Sequence, residues 1–285
     1  MSSCNSCPSK GSCGKDESSC SIQNNPLNKI DKIIGVMSGK GGVGKSTVSA
    51  LIAKNLRKQG YKVGVLDADI TGPSIPRLLG VSNQRARGTK EFIYPVISED
   101  GIKIMSLNLL IKNEDEPVIW RGAMISNTVK QFYNDVLWEE LDYLIIDMPP
   151  GTGDVALTVM QSIPINGIVM VTVPQDMVSM IVSKAIHMVN KLNINVIGVV
   201  ENMSYIKCPD CQTKIQIFNG DNSRKFLDDM NLNLLGELPM NSGIGNVSIG
   251  MYNDNDEEAE QLFNPIVINM INSLKNIEQS KVLQK

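Results

Sequence analysis

The sequence predicts a doubly wound α/β fold, a mainly parallel sheet with helices on both faces. Three observations carry that expectation. From Lys32 onward, short apolar runs alternate with segments of helical period. Those runs are rich in β-branched residues along their whole length, as strands buried on both faces are. A glycine-rich loop joins the first run to the first helical segment, and Gly39, Asp67, Asp147 and Asn202 all fall just past expected strand ends. That is the edge of an open α/β sheet where ligands bind.

The elements follow in order. Lys32–Met37 reads as a buried strand and Thr47–Leu56 as a helix with apolar residues at helical spacing. Lys62–Leu66 is the second strand, ending at Asp67-Ala68-Asp69. Thr71–Ile97 is rich in Pro, Gly and Arg and reads as a long loop with one helical turn around Ile75–Leu79. A strand is expected over Ile102–Leu107, a helix over Ser126–Leu141, and a buried strand over Tyr143–Ile146 running into Asp147. Gly167–Val173 is another strand, stopped by Pro174, and Asp176 is placed to cap a helix reaching Leu192. Asn195–Val200 and Asn233–Leu238 are the last strands, and Ala259–Lys275 the final helix.

Residues 1–28 stand apart. They are Ser, Cys, Asn, Gly and Lys with little that is apolar, so without a ligand they are expected to be disordered, and Pro26 marks the junction to a folded body over 29–285. The chain has 285 residues and a formal net charge of −3, which gives no electrostatic reason to expect nucleic acid or an anionic membrane as partner. No apolar run approaches the roughly 20 residues that span a bilayer. The N-terminus lacks the basic-then-apolar pattern of a secretion signal, so the expected compartment is the cytoplasm.

Gly39-Lys40-Gly41-Gly42-Val43-Gly44-Lys45-Ser46-Thr47 fits the G-x-x-x-x-G-K-[ST] phosphate-binding loop from Gly39 to Ser46. Strand, glycine loop and helix aim backbone N–H groups and a helix N-terminus at phosphate oxygens. A nucleoside triphosphate is the expected ligand. Lys45 should contact its β- and γ-phosphates, and Ser46 is placed to meet Mg²⁺ through its hydroxyl. Asp147, ending an apolar strand, is the expected carboxylate that holds Mg²⁺ through water, against the plainer reading of a cap on the Pro149-Pro150-Gly151 turn. Asp67 and Asp69 lie two apart on one face of extended chain, so Asp69 is assigned to the attacking water and Asp67 to support of the metal shell. Two loop carboxylates capping a turn is the rival reading.

All six cysteines fall in two clusters, Cys4, Cys7, Cys13 and Cys20 near the start, and Cys208 with Cys211 in a C-x-x-C. In a reducing compartment clustered thiols lean toward metal. Cys208 and Cys211 are half of a four-thiolate site for zinc or a [4Fe–4S] cluster, and two copies across a two-fold axis would complete it. The N-terminal four could bind a cluster or zinc, act as a flexible thiol tail, or complete a site with Cys208 and Cys211 through Cys4 and Cys7.

The Lys40/Lys45 loop resembles the deviant Walker A motif of the MinD/ParA/nitrogenase-iron-protein group. Together with Leu66–Ser74, Asp147–Asp154, Glu201-Asn202-Met203-Ser204 and the Cys208/Cys211 pair, it resembles the Mrp/ApbC/Nbp family of P-loop ATPases, over about Ile33 to Met270. The resemblance implies an ATP-dependent iron–sulfur cluster carrier or scaffold, a homodimer with a labile bridging [4Fe–4S] cluster, and apo iron–sulfur proteins as recipients. It implies that Lys40 reaches the partner's ATP, that Asn202 and the loop after Leu238-Pro239 meet the adenine, and that Asp69 and Asp147 sit in the two switch segments. Cys4, Cys7 and Cys13 match the C-x₂-C-x₅-C core of the Nbp extension, but the upstream cysteine is absent and Cys20 lies downstream. A ParA/MinD-like positioning ATPase with a structural zinc site is the alternative.

Overall fold

The computed structural model describes residues 25–70, 72–111, 122–174, 176–208, 210–216, 221–240 and 257–283. The four N-terminal cysteines and residues 241–256 lie outside these, as do Thr71, Pro209 and the side chain of Asp176.

A nine-stranded, mostly parallel sheet flanked by helices organises the chain. Its centre is β1 (Lys29–Ser38), which pairs in parallel with β7 (Glu140–Asp147) on one side and β8 (Gly167–Thr172) on the other. Outward from β7 come β2 (Val63–Asp67), β6 (Lys103–Met105) and the antiparallel edge strand β5 (Val96–Ile97). Outward from β8 comes β9 (Val196–Lys207), which pairs in parallel with β11 (Leu234–Pro239) and antiparallel with β10 (Lys214–Gln216). The runs Ile33–Met37 of β1, Val63–Leu66 of β2, Leu144–Ile146 of β7 and Gly167–Val171 of β8 are buried without a break, which is why unbroken apolar runs rather than alternation mark them in the sequence.

Helix α1 (Lys45–Lys58) lies across β1, β2 and β7 and packs on α7 (Glu257–Leu283). The short α2 (Ile75–Leu78) packs against α1, α3 (Gly122–Asn134) against α4 (Asp154–Ser162), and α5 (Asp176–Lys191) against α6 (Asp221–Asp229).

Several expected elements differ. The helix expected over Ser126–Leu141 ends at Asn134, because Val136 and Trp138, which prolonged its apolar pattern, are buried in an irregular return to β7 instead. There Leu137 donates to Ile93 O at 2.9 Å, and Trp138 Nε1 to Phe132 O at 3.2 Å. The Thr71–Ile97 loop contains, besides α2, a small hairpin of β3 (Arg87–Gly88) and β4 (Ile93–Tyr94), and the edge strand β5. The strand expected over Ile102–Leu107 stops at Met105, and Leu107–Leu109 form a 3₁₀ turn. The strand expected to end at Val200 continues to Lys207, so Asn202 lies within β9. The final helix runs further at both ends than Ala259–Lys275.

Candidate functional site

The glycine loop leaves β1 at Ser38 and enters α1 at Lys45. Gly44, at the helix N-cap, has φ 82°, a left-handed backbone that side chains with a Cβ rarely take. The first turn of α1 holds no acidic residue, leaving its N–H groups and dipole open to an anion. A methyl added to Gly41 or Gly42 would meet nothing within 4 Å, so the crown of the loop is open. Its base is pinned: Ser38 Oγ donates to Lys40 O at 2.9 Å, and Gly151 N, from the segment after β7, donates to Ser38 O at 2.8 Å. Val43 is buried, Ser46 and Thr47 are half-buried, and Lys40 is half-buried beside the open crown.

Beneath the loop, Asp147 is fully buried and ringed by donors. Lys45 Nζ stands 2.8 Å from its Oδ2, the Ser46 hydroxyl donates to the same oxygen at 2.6 Å, and the Ser49 hydroxyl donates to Oδ1 at 2.7 Å. Lys45 Nζ is also 3.6 Å from Asp69 Oδ2. One ammonium thus faces the two expected switch carboxylates. The Ser46 hydroxyl beside the Asp147 carboxylate fits a Mg²⁺ ion, an ion that takes oxygen ligands and needs only one or two carboxylates.

Asp67 is the register partner of Asp147 on the neighbouring strand and is 1% exposed. Burial pushes its carboxyl up to about 8, with the charges of Asp147 and Asp69 adding to the rise and Lys45 opposing it. Its Oδ2 accepts from Ser106 Oγ at 3.1 Å and from Ile75 N at 3.3 Å, and its Oδ1 from Asp69 N at 3.2 Å. These bonds tie the segment after β2 to the sheet. The geometry has Asp67 holding Asp69 and the start of α2.

On the other flank of the loop, Asn202 is 2% exposed, and its Nδ2 donates to Val43 O at 2.9 Å. Its Oδ1 is buried with no hydrogen-bond partner. Pro239 closes β11 beside it, in register with Tyr205.

Cys208 and Cys211 occupy the turn between β9 and β10. Cys208 N donates to Thr213 O at 3.0 Å and Gln212 N to Cys208 O at 2.9 Å, with Gln212 in the left-handed region at φ 58°. Cys208 is half-buried and Cys211 exposed. Cys211 Sγ lies 3.1 Å from Thr213 Oγ1, and hydrogen bonding by that hydroxyl, then by the Thr213 backbone and Cys208, holds the Cys211 thiol below its ordinary range. Among the described residues no group of three or more metal-ligating side chains forms.

The structure therefore gathers Gly39–Thr47, Asp67, Asp69, Asp147 and Asn202 at one sheet edge. Cys208 and Cys211 stand apart from them on a hairpin continuous with β9. Two residues escaped sequence reasoning. Ser49 follows Ser46 by three positions, on the same helix face, and that spacing could have flagged it. Ser106 directly follows a buried strand at the ligand edge, a position shared with Asp67 and Asp147 only once the sheet order is known. No helix among the described residues is long and apolar enough to cross a membrane.

Comparison with known proteins agrees with the resemblance drawn from the motifs. The family described as "ParA: NUBPL iron-transfer P-loop NTPase" matches residues 29–271. An iron–sulfur cluster carrier protein of Clostridium perfringens is 50% identical over 255 residues, 85% of this chain and 89% of that one. One from Methanocaldococcus jannaschii is 45% identical, over 83% of each chain. A nucleotide-binding protein from Archaeoglobus fulgidus, solved in complex with ADP, superposes with a TM-score of 0.72 at 40% identity, covering 83% of this chain and 93% of that one. The Aquifex aeolicus MinC:MinD complex structure matches at TM-score 0.60 and 19% identity, over 85% of this chain and 96% of that one, a likeness of fold alone. The chain belongs to the NUBPL iron-transfer P-loop NTPase family of the ParA group.

Proposed function

We propose that this protein is an ATP-dependent carrier of iron–sulfur clusters. It binds ATP with Mg²⁺ at the glycine loop, and two copies hold a [4Fe–4S] cluster as cargo between their Cys208/Cys211 pairs. The cluster passes to apo-proteins, and ATP hydrolysis is coupled to its binding or release. The observation that carries this reading is the thiol pair itself, half of a four-thiolate set, on a hairpin grown from a strand that also touches the phosphate loop. Relatives at 45–50% identity bear the name of iron–sulfur cluster carrier.

The residues divide the work as follows. The N–H groups of Gly41 to Ser46 and the Lys45 ammonium receive the phosphates. Ser46 and Asp147 hold Mg²⁺, which supplies charge neutralisation at the phosphates. Asp69 orients the attacking water, Asp67 positions Asp69, and Lys40 reaches toward the nucleotide of the second copy. Asn202 and the chain after Pro239 flank the base.

The test is anaerobic reconstitution of the full chain with iron and sulfide, with Cys4, Cys7, Cys13 and Cys20 replaced by Ser. About four irons per two chains are expected, as one [4Fe–4S] cluster requires. A chromophore that survives Cys208→Ala with Cys211→Ala refutes the shared site, and tight zinc without iron uptake supports a structural zinc site instead.

A further inference from the structure

β9 is the longest strand among the described residues, at 12 residues, and its two halves have different neighbours. The first half is paired on both sides, with β8 up to Thr172↔Glu201 and with β11. Asn202 is the next residue. It is where the strand outruns β8 and meets the phosphate loop, through the bond from Nδ2 to Val43 O. The loop is seated closely there: a methyl on Gly44 would stand 2.2 Å from Asn202 Nδ2 and 3.8 Å from Met203 Cε.

Met203 follows with φ 55°, a left-handed backbone in mid-strand that a residue with a long side chain adopts only when its surroundings impose it. The β9–β11 register shifts over the same stretch, between Glu237 and Pro239. Past this kink the strand is regular again. Tyr205 pairs with Pro239 and Gln216, Lys207 pairs with Lys214, and Cys208 follows at once. Five residues, Met203–Lys207, separate Asn202 from Cys208, a span of at most about 20 Å. One strand thus has the phosphate loop at one end, the thiol pair at the other, and a strained joint between.

We infer that β9 is the element through which nucleotide occupancy at the phosphate loop reaches Cys208 and Cys211, with Asn202 as the positioning residue at the loop and Met203 as the pivot. The inference rests on the nucleotide and thiol sites of the proposed function and adds the route between them. Closing the loop on a phosphate re-aims the backbone of residues 39–44, and the Val43 carbonyl is the atom that Asn202 holds. The buried, unpartnered Oδ1 of Asn202 gives that side chain a reason to move, because a donor brought by the nucleotide or by the shifted loop would satisfy it. A displacement of Asn202 is carried by a paired strand on the far side of Met203, so it changes the setting of the thiol turn.

The experiment uses the full chain, metal-free, with the four N-terminal cysteines replaced by Ser. Alkylation rates of Cys208 and Cys211 with iodoacetamide are followed by mass spectrometry, without nucleotide, with saturating ADP, and with a non-hydrolysable ATP analogue. In the parent, nucleotide should change the rates by about fivefold or more, the range of ordinary site-to-site coupling. Met203→Gly relieves the strained backbone and loosens the joint. It should bind nucleotide as the parent does, yet lose most of the thiol response. Asn202→Ala should lose the response even when nucleotide is saturating.

A full response in both variants, or none in the parent with nucleotide bound, overturns the inference. So does a response that appears only as protein concentration rises, which marks burial of the thiols between two copies. Iron uptake is measured separately. A chain that shows the response but takes up no iron keeps this inference and sinks the carrier reading, and the reverse result sinks this inference alone.

Discussion

The Ser49 hydroxyl stands 2.7 Å from Oδ1 of Asp147 and fixes that carboxylate from within α1. The other oxygen is left to Lys45 and to Ser46, the two residues that would turn toward the nucleotide and its metal. Ser49 Oγ also lies 3.1 Å from Lys45 O, the second acceptor within reach of its single proton, so it sits between the helix start and the carboxylate. Ser49→Ala is expected to raise the Mg²⁺ concentration needed for ATP hydrolysis by about tenfold or more, as loss of an outer-shell partner does. A Mg²⁺ titration of ATPase rate checks this, and an unchanged midpoint would remove Ser49 from the site.

Two glycine substitutions should fail differently. Gly44→Ala places a methyl 2.2 Å from Asn202 Nδ2 on a backbone at φ 82°, and is expected to cost about 1–3 kcal/mol of stability as well as nucleotide binding. Gly41→Ala meets nothing within 4 Å, and its methyl should hinder the approach of phosphate while leaving stability alone. Urea unfolding and ADP calorimetry on the two variants separate the effects. Equal stability losses would contradict the geometry.

Asp67 makes the nucleotide-free chain sensitive to pH. Its carboxyl ordinarily titrates near 3.8 and is pushed up to about 8 in the folded state. Between those values the unfolded chain has released the proton and the folded chain retains it. The unfolded state then binds fewer protons, so this group's contribution to stability is full in acid, falls as pH rises from about 4 to about 8, and is flat beyond. Asp67→Asn should abolish that decline and gain most, relative to the parent, at pH 8. Urea midpoints at pH 5 and pH 8 decide, and a parallel decline in the variant would assign it elsewhere.

Thr213 is expected to set the reactivity of Cys211. Removing its hydroxyl in Thr213→Val takes away the largest influence lowering that thiol's pKa. The pH midpoint of Cys211 alkylation should move upward and the rate at pH 7 should fall, since the thiolate is the nucleophile. An unshifted midpoint would place the cause in the turn's backbone instead.

Much of this was legible in the sequence, for a physical reason in each case. Strands such as Tyr143–Ile146 announce themselves because burial on both faces demands unbroken apolar runs. The phosphate loop is legible because few residue types fit a backbone wrapped around an anion. The helix end at Asn134 was hidden because Val136 and Trp138 continue a helical pattern while serving a different part of the core. The length of β9 was hidden because Glu201, Asn202 and Ser204 are polar, and their burial depends on the phosphate loop and on β11 lying against them. Asp67 was placed correctly at a strand end, but its partners Ser106 and Ile75 come from other elements, which no local spacing reveals.

The pairing of β1 bears on how the chain is born. That strand carries the glycine loop, yet both of its neighbours, β7 and β8, come from residues 140–172, far downstream. A ribosome that has not yet released Glu140 has delivered the entire loop sequence on a strand whose apolar half, Ile33–Met37, has two open edges. Such a fragment has nothing to hold the loop in place and much to stick to. Competence to grip a ligand therefore arrives late in synthesis, and the interval before it is when this polypeptide most needs a chaperone's cover.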